Sequence, residues 1–198
     1  PFAVIADGLA RKGIASIRYD DRGFGKSTGD GRSATTRDFA TDARVAVDFM
    51  RKTEHFRCVG VLGHSEGATV AFMLGAEKVP DFIVAVGAPA VRGDSILVSQ
   101  SRLMLLQNGM PQDVTDAYCD ALGKIYDARI AKGKEASAAI AKEIADGWKG
   151  KMLLEQLGEN LTAIIAAMEN PWLDAFITYS PDADIAATEC PAFVIYGE

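Results

Sequence analysis

A serine hydroxyl becomes a useful nucleophile only when the backbone presents it and a base can take its proton. The segment Gly63-His64-Ser65-Glu66-Gly67 has the form Gly-x-Ser-x-Gly. In that pattern a sharp strand-to-helix turn lifts the serine above a sheet edge, and glycines relieve the crowding. Arg57 to Leu62, before the motif, reads as a strand, and a mostly apolar helical stretch follows from Ala68 to Glu77, so Ser65 is the candidate nucleophile. The backbone N–H of Glu66 is then the candidate oxyanion donor, aided by the positive end of the helix that starts there. The Glu66 side chain reads as a helix-start carboxylate rather than an acid catalyst. A second match, Gly25-Lys26-Ser27-Thr28-Gly29, continues into a polar loop with no helix after it, and Ser27 reads as a loop hydroxyl.

The partner base is harder to find. The chain has two histidines, His55 and His64. His64 adjoins Ser65, and neighbouring side chains at a strand end diverge. His55 lies before the strand whose far end carries Ser65, roughly 20 Å away at about 3.3 Å per strand residue. Neither suits the role. Gly23-Phe24-Gly25-Lys26-Ser27-Thr28 fails as a phosphate loop, because the required first glycine is Asp20 and no helix follows Ser27. The dinucleotide pattern fails for want of a third glycine at position 28. Cys58, Cys119 and Cys190 are widely spaced without a Cys-x-x-Cys pair, so no metal site and no disulfide framework is indicated; they are expected to be reduced and buried. No cofactor site emerges.

The elements that must position Ser65 follow from periodicity. Phe2 to Lys12 carries apolar residues at helical spacing and stops at Gly13. Ile14–Tyr19 is predicted as a strand leading into a loop from Asp20 to Thr36. Thr35 and Asp38 resemble a capping box opening a helix to Met50. Phe82–Val86 is apolar at every residue, as in a strand covered on both faces. Helix and strand alternating along the chain imply a parallel sheet with right-handed crossovers. Residues 94–170 then carry helix formers at helical spacing, punctuated by Gly109-Met110-Pro111, Gly133, Gly147 and Gly150, an all-helical insertion of three or four helices, with Pro111 in the first turn of one and Asn170-Pro171 ending the last. Strand character returns at Ala192–Tyr196. The expected divisions are an α/β core at 1–92, a helical cap at 93–175 and a return to the core at 176–198.

Taken together, these segments resemble the α/β-hydrolase superfamily, specifically capped bacterial serine esterases related to dienelactone hydrolases and serine aminopeptidases. The resemblance rests on Ile17 to Gly29 as the loop after the fourth strand of that fold, on Gly63 to Gly67, and on Ala192 to Glu198 as its seventh strand. It implies a structural role for Arg22, tying that loop near the active site. It also implies an oxyanion-loop segment before Pro1, and a triad Asp and His after Glu198 in the order Ser–Asp–His. Asp94 is an alternative acid. By this resemblance the chain reads as an internal fragment holding about four of eight strands. The third strand would be missing between Ile14–Tyr19 and Arg57–Leu62, so the piece alone is expected to be poorly stable, self-associating or rearranged.

Composition narrows the partners. The 198 residues are 48% apolar and carry a net charge of -6 without a basic block, which argues against a nucleic-acid partner. No apolar run reaches the eighteen or so residues of a membrane span. The expected activity of the parent protein is serine-dependent hydrolysis of a small-molecule carboxylic ester through an acyl-enzyme on Ser65, the fragment itself being inactive. Peptidase, thioesterase or acyltransferase chemistry shares the same fold. The alternative of another class is a non-catalytic ligand-binding protein on the same scaffold.

Overall fold

The computed structural model describes residues 2–53, 56–167 and 170–197. Helix α1 (Phe2–Ala10) ends at Gly13, whose φ of 74° lets the Gly13 and Ile14 amides bond back to the Ala10 and Leu9 carbonyls. None of its residues is buried. The next segment departs from expectation. Residues 14–19 form no strand; Ile14, Ile17 and Tyr19 are exposed, and no described strand lies beside them. A strand exists only by exchanging hydrogen bonds with a neighbour, so β-favouring residues alone leave this segment as irregular chain.

The loop that follows is nonetheless anchored. The Arg22 guanidinium grips Asp42 with two bonds of 2.7 Å and also reaches the Asp38 carboxylate and carbonyl. Both acids lie one turn apart on α2 (Thr36–Thr53), so a planar fork fastens loop to helix. Asp38 in turn accepts from the backbone N–H and hydroxyl of Thr35 at the helix start. Those bonds, with Arg22, hold its carboxyl below the usual range. Ser27 donates to the Asp20 carbonyl, the loop role expected of it.

Strands β1 (Gly60–His64), β2 (Phe82–Val86) and β3 (Ala192–Ile195) form a parallel sheet in the order β1-β2-β3. Among the described residues the sheet therefore has three strands where about four were expected. Helix α3 (Glu66–Ala76) crosses from β1 back over one face, buried along eight of its residues between the sheet and α2. Ala68 and Ala71 are completely buried against Ile83 and Ala85, and their small side chains bring helix and sheet close. The other sheet face is open. Phe82 and Phe193 are exposed and β3 has no buried residue, so β2 is covered on one face rather than two.

Two contacts lock this layer. Asp81 accepts from the Val59 N–H at 2.7 Å, returns its own N–H to the Val59 carbonyl at 2.9 Å, and pairs with Arg51 at the end of α2. The Val59 bond, with Arg51, pulls the Asp81 carboxyl below its ordinary value. The second is steric. A Cβ on Gly63 would lie 1.9 Å from the Gly67 carbonyl oxygen, so the strand can run into the turn only without a side chain there. Gly67 differs, since a Cβ on it would meet nothing beyond its own helix within 4 Å.

Between β2 and β3 the chain is helical: α4 (Gly93–Gln107), α5 (Gln112–Lys132), α6 (Lys134–Trp148), α7 (Met152–Ala167), α8 (Pro171–Thr178) and α9 (Asp182–Ala187). Tyr118, Leu122, Ile125, Tyr126, Trp148, Leu161, Leu173 and Ile177 build its own apolar core. Pro111 stands one residue before α5 rather than inside it. Asn170-Pro171 opens a helix instead of ending the series. The Asn170 side chain caps the Trp172 N–H at 3.0 Å, and Pro171 sits at the first helical position, where its missing N–H costs no bond. The entry and exit of this segment cross closely: the Gly93 N–H bonds to the Tyr179 carbonyl, and a Cβ on Gly93 would strike the Phe176 carbonyl at 1.9 Å. All three cysteines are free, but only Cys119 is buried; Cys190 is half-buried and Cys58 exposed.

Three outcomes follow. Gly63→Ala should destabilise the fold by about 3 kcal/mol, because backbone rather than a pliable side chain blocks the methyl group; denaturant titration measures it. Asp81 has a depressed folded-state pKa. Its stabilisation is complete above about pH 4 and is lost as pH falls through the lower folded value, so Asp81→Asn should shrink the acid-induced drop in melting temperature. Residues 1–198 by themselves should self-associate through the open sheet face, and a sedimentation series showing a monomer at every concentration would contradict this.

Candidate active site

Ser65 stands at the hinge between β1 and α3 with φ 54° and ψ -118°. A side chain at positive φ is strained by about 1–3 kcal/mol, and the surrounding bonds hold it there. Its N–H donates to the Val86 carbonyl at 2.9 Å, carrying the β1-β2 ladder one residue past the strand end. Its carbonyl accepts from the Ala68 and Thr69 amides, so the same residue caps α3 with its backbone. The hydroxyl takes no part in capping and bonds to no described side chain. It is thus held at the mouth of a helix N-terminus with its oxygen unused.

The Glu66 N–H belongs to the first turn of α3, where amides have no intrahelical acceptor. An anion placed beside Ser65 would be close to the positive end of the helix. The Glu66 side chain turns to other partners. Its Oε1 accepts from the Thr36 hydroxyl at 2.6 Å and from the Trp172 indole N–H at 2.7 Å. Thr36 begins α2 and is buried; Trp172 lies in the first turn of α8 and stacks on Phe176 with ring centroids 5.1 Å apart. Reasoning along the chain finds neither residue. Their only signals, a threonine at a helix start and a tryptophan with a polar tip, say nothing of a partner 30 or 106 positions away.

The other described residues weighed for the site do not join Ser65. His64 is exposed, and its ring lies beside Gly87, 3.9 Å from where a Cβ there would stand. His55 lies outside the described residues. Asp94, weighed as an alternative acid, is engaged elsewhere: its oxygens accept from Arg92 Nε at 2.9 Å, from the other arm of that guanidinium at 2.5 Å and from the Ser95 N–H at 2.7 Å. The Arg92 bonds hold its carboxyl below the usual range. It therefore sits in the first turn of α4 as a buried carboxylate paired with the exposed Arg92. Among the described residues no cluster of three His, Cys, Asp or Glu could hold a metal ion, and no helix is long and apolar enough to cross a membrane.

The family model described as serine aminopeptidase, S33, matches residues 2–117, more than half of the chain and including the whole turn around Ser65. Esterase EstD of Thermotoga maritima is 28% identical over 146 residues, covering 73% of this chain and 35% of the esterase. The matched part is thus about a third of that relative's length. No solved structure gives a significant match. The parallel sheet, the β1-Ser65-α3 turn and the family match together make this chain a member of the serine aminopeptidase S33 family of α/β-hydrolases.

Proposed function

We propose that these residues belong to a serine hydrolase of small carboxylic esters, with Ser65 as nucleophile and 93–175 as a cap over the site. The observation that carries the reading is the turn itself: a non-glycine residue at φ 54°, its hydroxyl uncommitted, beside the Glu66 amide that opens α3. A protein spends strain on a serine at that point for chemistry rather than for packing. Similarity to a relative named an esterase favours an ester over an amide substrate.

In this reaction Ser65 Oγ attacks the ester carbonyl carbon while its proton passes to a base. The oxyanion that forms is held by the Glu66 N–H, a donor class worth about 3 kcal/mol of transition-state stabilisation. The carbon–oxygen bond to the alcohol breaks, the alcohol leaves with the proton, and water then releases the acid from the acyl-serine by the same steps reversed. Neither His64 nor Asp94 is disposed to serve Ser65, and the family resemblance implies an acid and a base that follow it in the order Ser–Asp–His. A binding protein on this scaffold would share the cap and sheet but has no need of the strained serine.

The whole protein should hydrolyse p-nitrophenyl esters of short acids in preference to aminoacyl p-nitroanilides. Ser65→Ala should reduce kcat by about 10⁴-fold or more and abolish labelling by a fluorophosphonate. Undiminished labelling in that variant would remove Ser65 from the mechanism, and an absence of labelling in the wild type would favour the binding protein. Residues 1–198 alone should show no turnover.

A further inference from the structure

The Glu66 carboxyl group joins three segments that are remote in sequence. It stands on the residue whose amide faces the oxyanion, and a single oxygen of it receives the Thr36 hydroxyl from α2 and the Trp172 indole from α8. Each donor is itself held. Thr36 is 4% exposed. Trp172 is fixed at both ends, its backbone N–H by Asn170 and its ring by Phe176. Helix α8 is fastened further by the Arg129–Asp174 ion pair and by Leu173 and Ile177, which sit in the core of the helical segment. A glutamate side chain has three free torsions, and two bonds to rigid donors remove most of that freedom. The peptide plane carrying the Glu66 N–H is thereby constrained from its side-chain end.

We infer that Glu66, Thr36 and Trp172 form a positioning bridge by which the helical segment sets the orientation of the oxyanion amide. The inference rests on Ser65 being the nucleophile. With the bridge made, the amide meets the oxyanion at its best angle, so the bridge acts on the transition state more than on the bound ester. With the indole donor removed, α8 is free to drift from the turn, and displacement of a catalytic group by about 1 Å can cost up to about 100-fold in rate. The Trp172 N–H is the component that makes the nucleophile turn sensitive to how the helical segment is seated.

The test uses the whole protein and the variants Trp172→Phe, Thr36→Val, Glu66→Ala and Glu66→Gln. Trp172→Phe retains an aromatic ring against Phe176 and deletes only the donor. It should lower kcat on a p-nitrophenyl ester about ten-fold with KM nearly unchanged. It should also weaken a boronic acid, which mimics the tetrahedral intermediate, by a similar factor. Glu66→Ala should lose more, and Glu66→Gln, which keeps an accepting oxygen, should recover most of that loss. A Trp172→Phe enzyme with wild-type kcat and boronate affinity, in a protein that Ser65→Ala inactivates, overturns the bridge and leaves the nucleophile standing. Equal losses in kcat and KM accompanied by a lowered melting temperature, with no recovery in Glu66→Gln, also overturn it, since that is how a merely structural contact behaves. Full turnover by Ser65→Ala overturns the nucleophile and the bridge together.

Discussion

The turn from β1 into α3 governs this molecule. A strand that ends at Gly63-His64 and a helix that begins at Glu66 leave one residue in which to reverse direction, and Ser65 does so at positive φ. Gly63 makes the reversal possible, because its missing side chain is the space into which the Gly67 backbone folds. Once made, the turn throws α3 onto the sheet. Ala68 and Ala71 then let the helix lie close enough to exclude water from Ile83 and Ala85. Burial of that helix between sheet and α2 is the main apolar core of the α/β layer, and it stabilises the strained residue that started it.

Around this turn the molecule is held by polar bonds between elements that are not neighbours in sequence. Arg22 fastens the 20–35 loop to α2, Asp81 fastens the approaches to β1 and β2 to each other and to the end of α2, and Glu66 fastens α2 and α8 to the turn. Helix α2 takes part in all three. The helical segment between β2 and β3 has its own core, closed where Gly93 crosses Phe176 and Tyr179, yet it reaches the α/β layer through the Trp172–Glu66 bond and through Tyr179 and Ile185, which pack against the clusters around α3. The Trp172 bond thereby couples the helical segment to the residue next to Ser65.

Much of this was legible along the chain. The turn was visible because glycine spacing and flanking periodicity are local properties, and Phe82–Val86 and Ala192–Tyr196 were visible because their β-branched and aromatic residues fit a pleated surface. The helical run at 94–170 was visible because helix formers recur there at helical spacing, and four described helices occupy it. The Ile14–Tyr19 segment misled because strand residues describe a preference, whereas a strand requires a partner. Asn170-Pro171 misled because the same dipeptide can stop one helix or start the next, and the chain around it offered no rule for choosing.

By itself the sequence determined where the backbone must reverse, which residue occupies the reversal, and that strands and helices alternate around it. Those are consequences of steric limits within a few residues. Tertiary structure alone decided that Asp94 is committed to Arg92, that His64 lies beside Gly87, and that Thr36 and Trp172 meet on one oxygen of Glu66. Each of those depends on which segments pack together. Side chains find partners only after burial has brought distant helices within hydrogen-bond range, and no spacing along the chain encodes that distance.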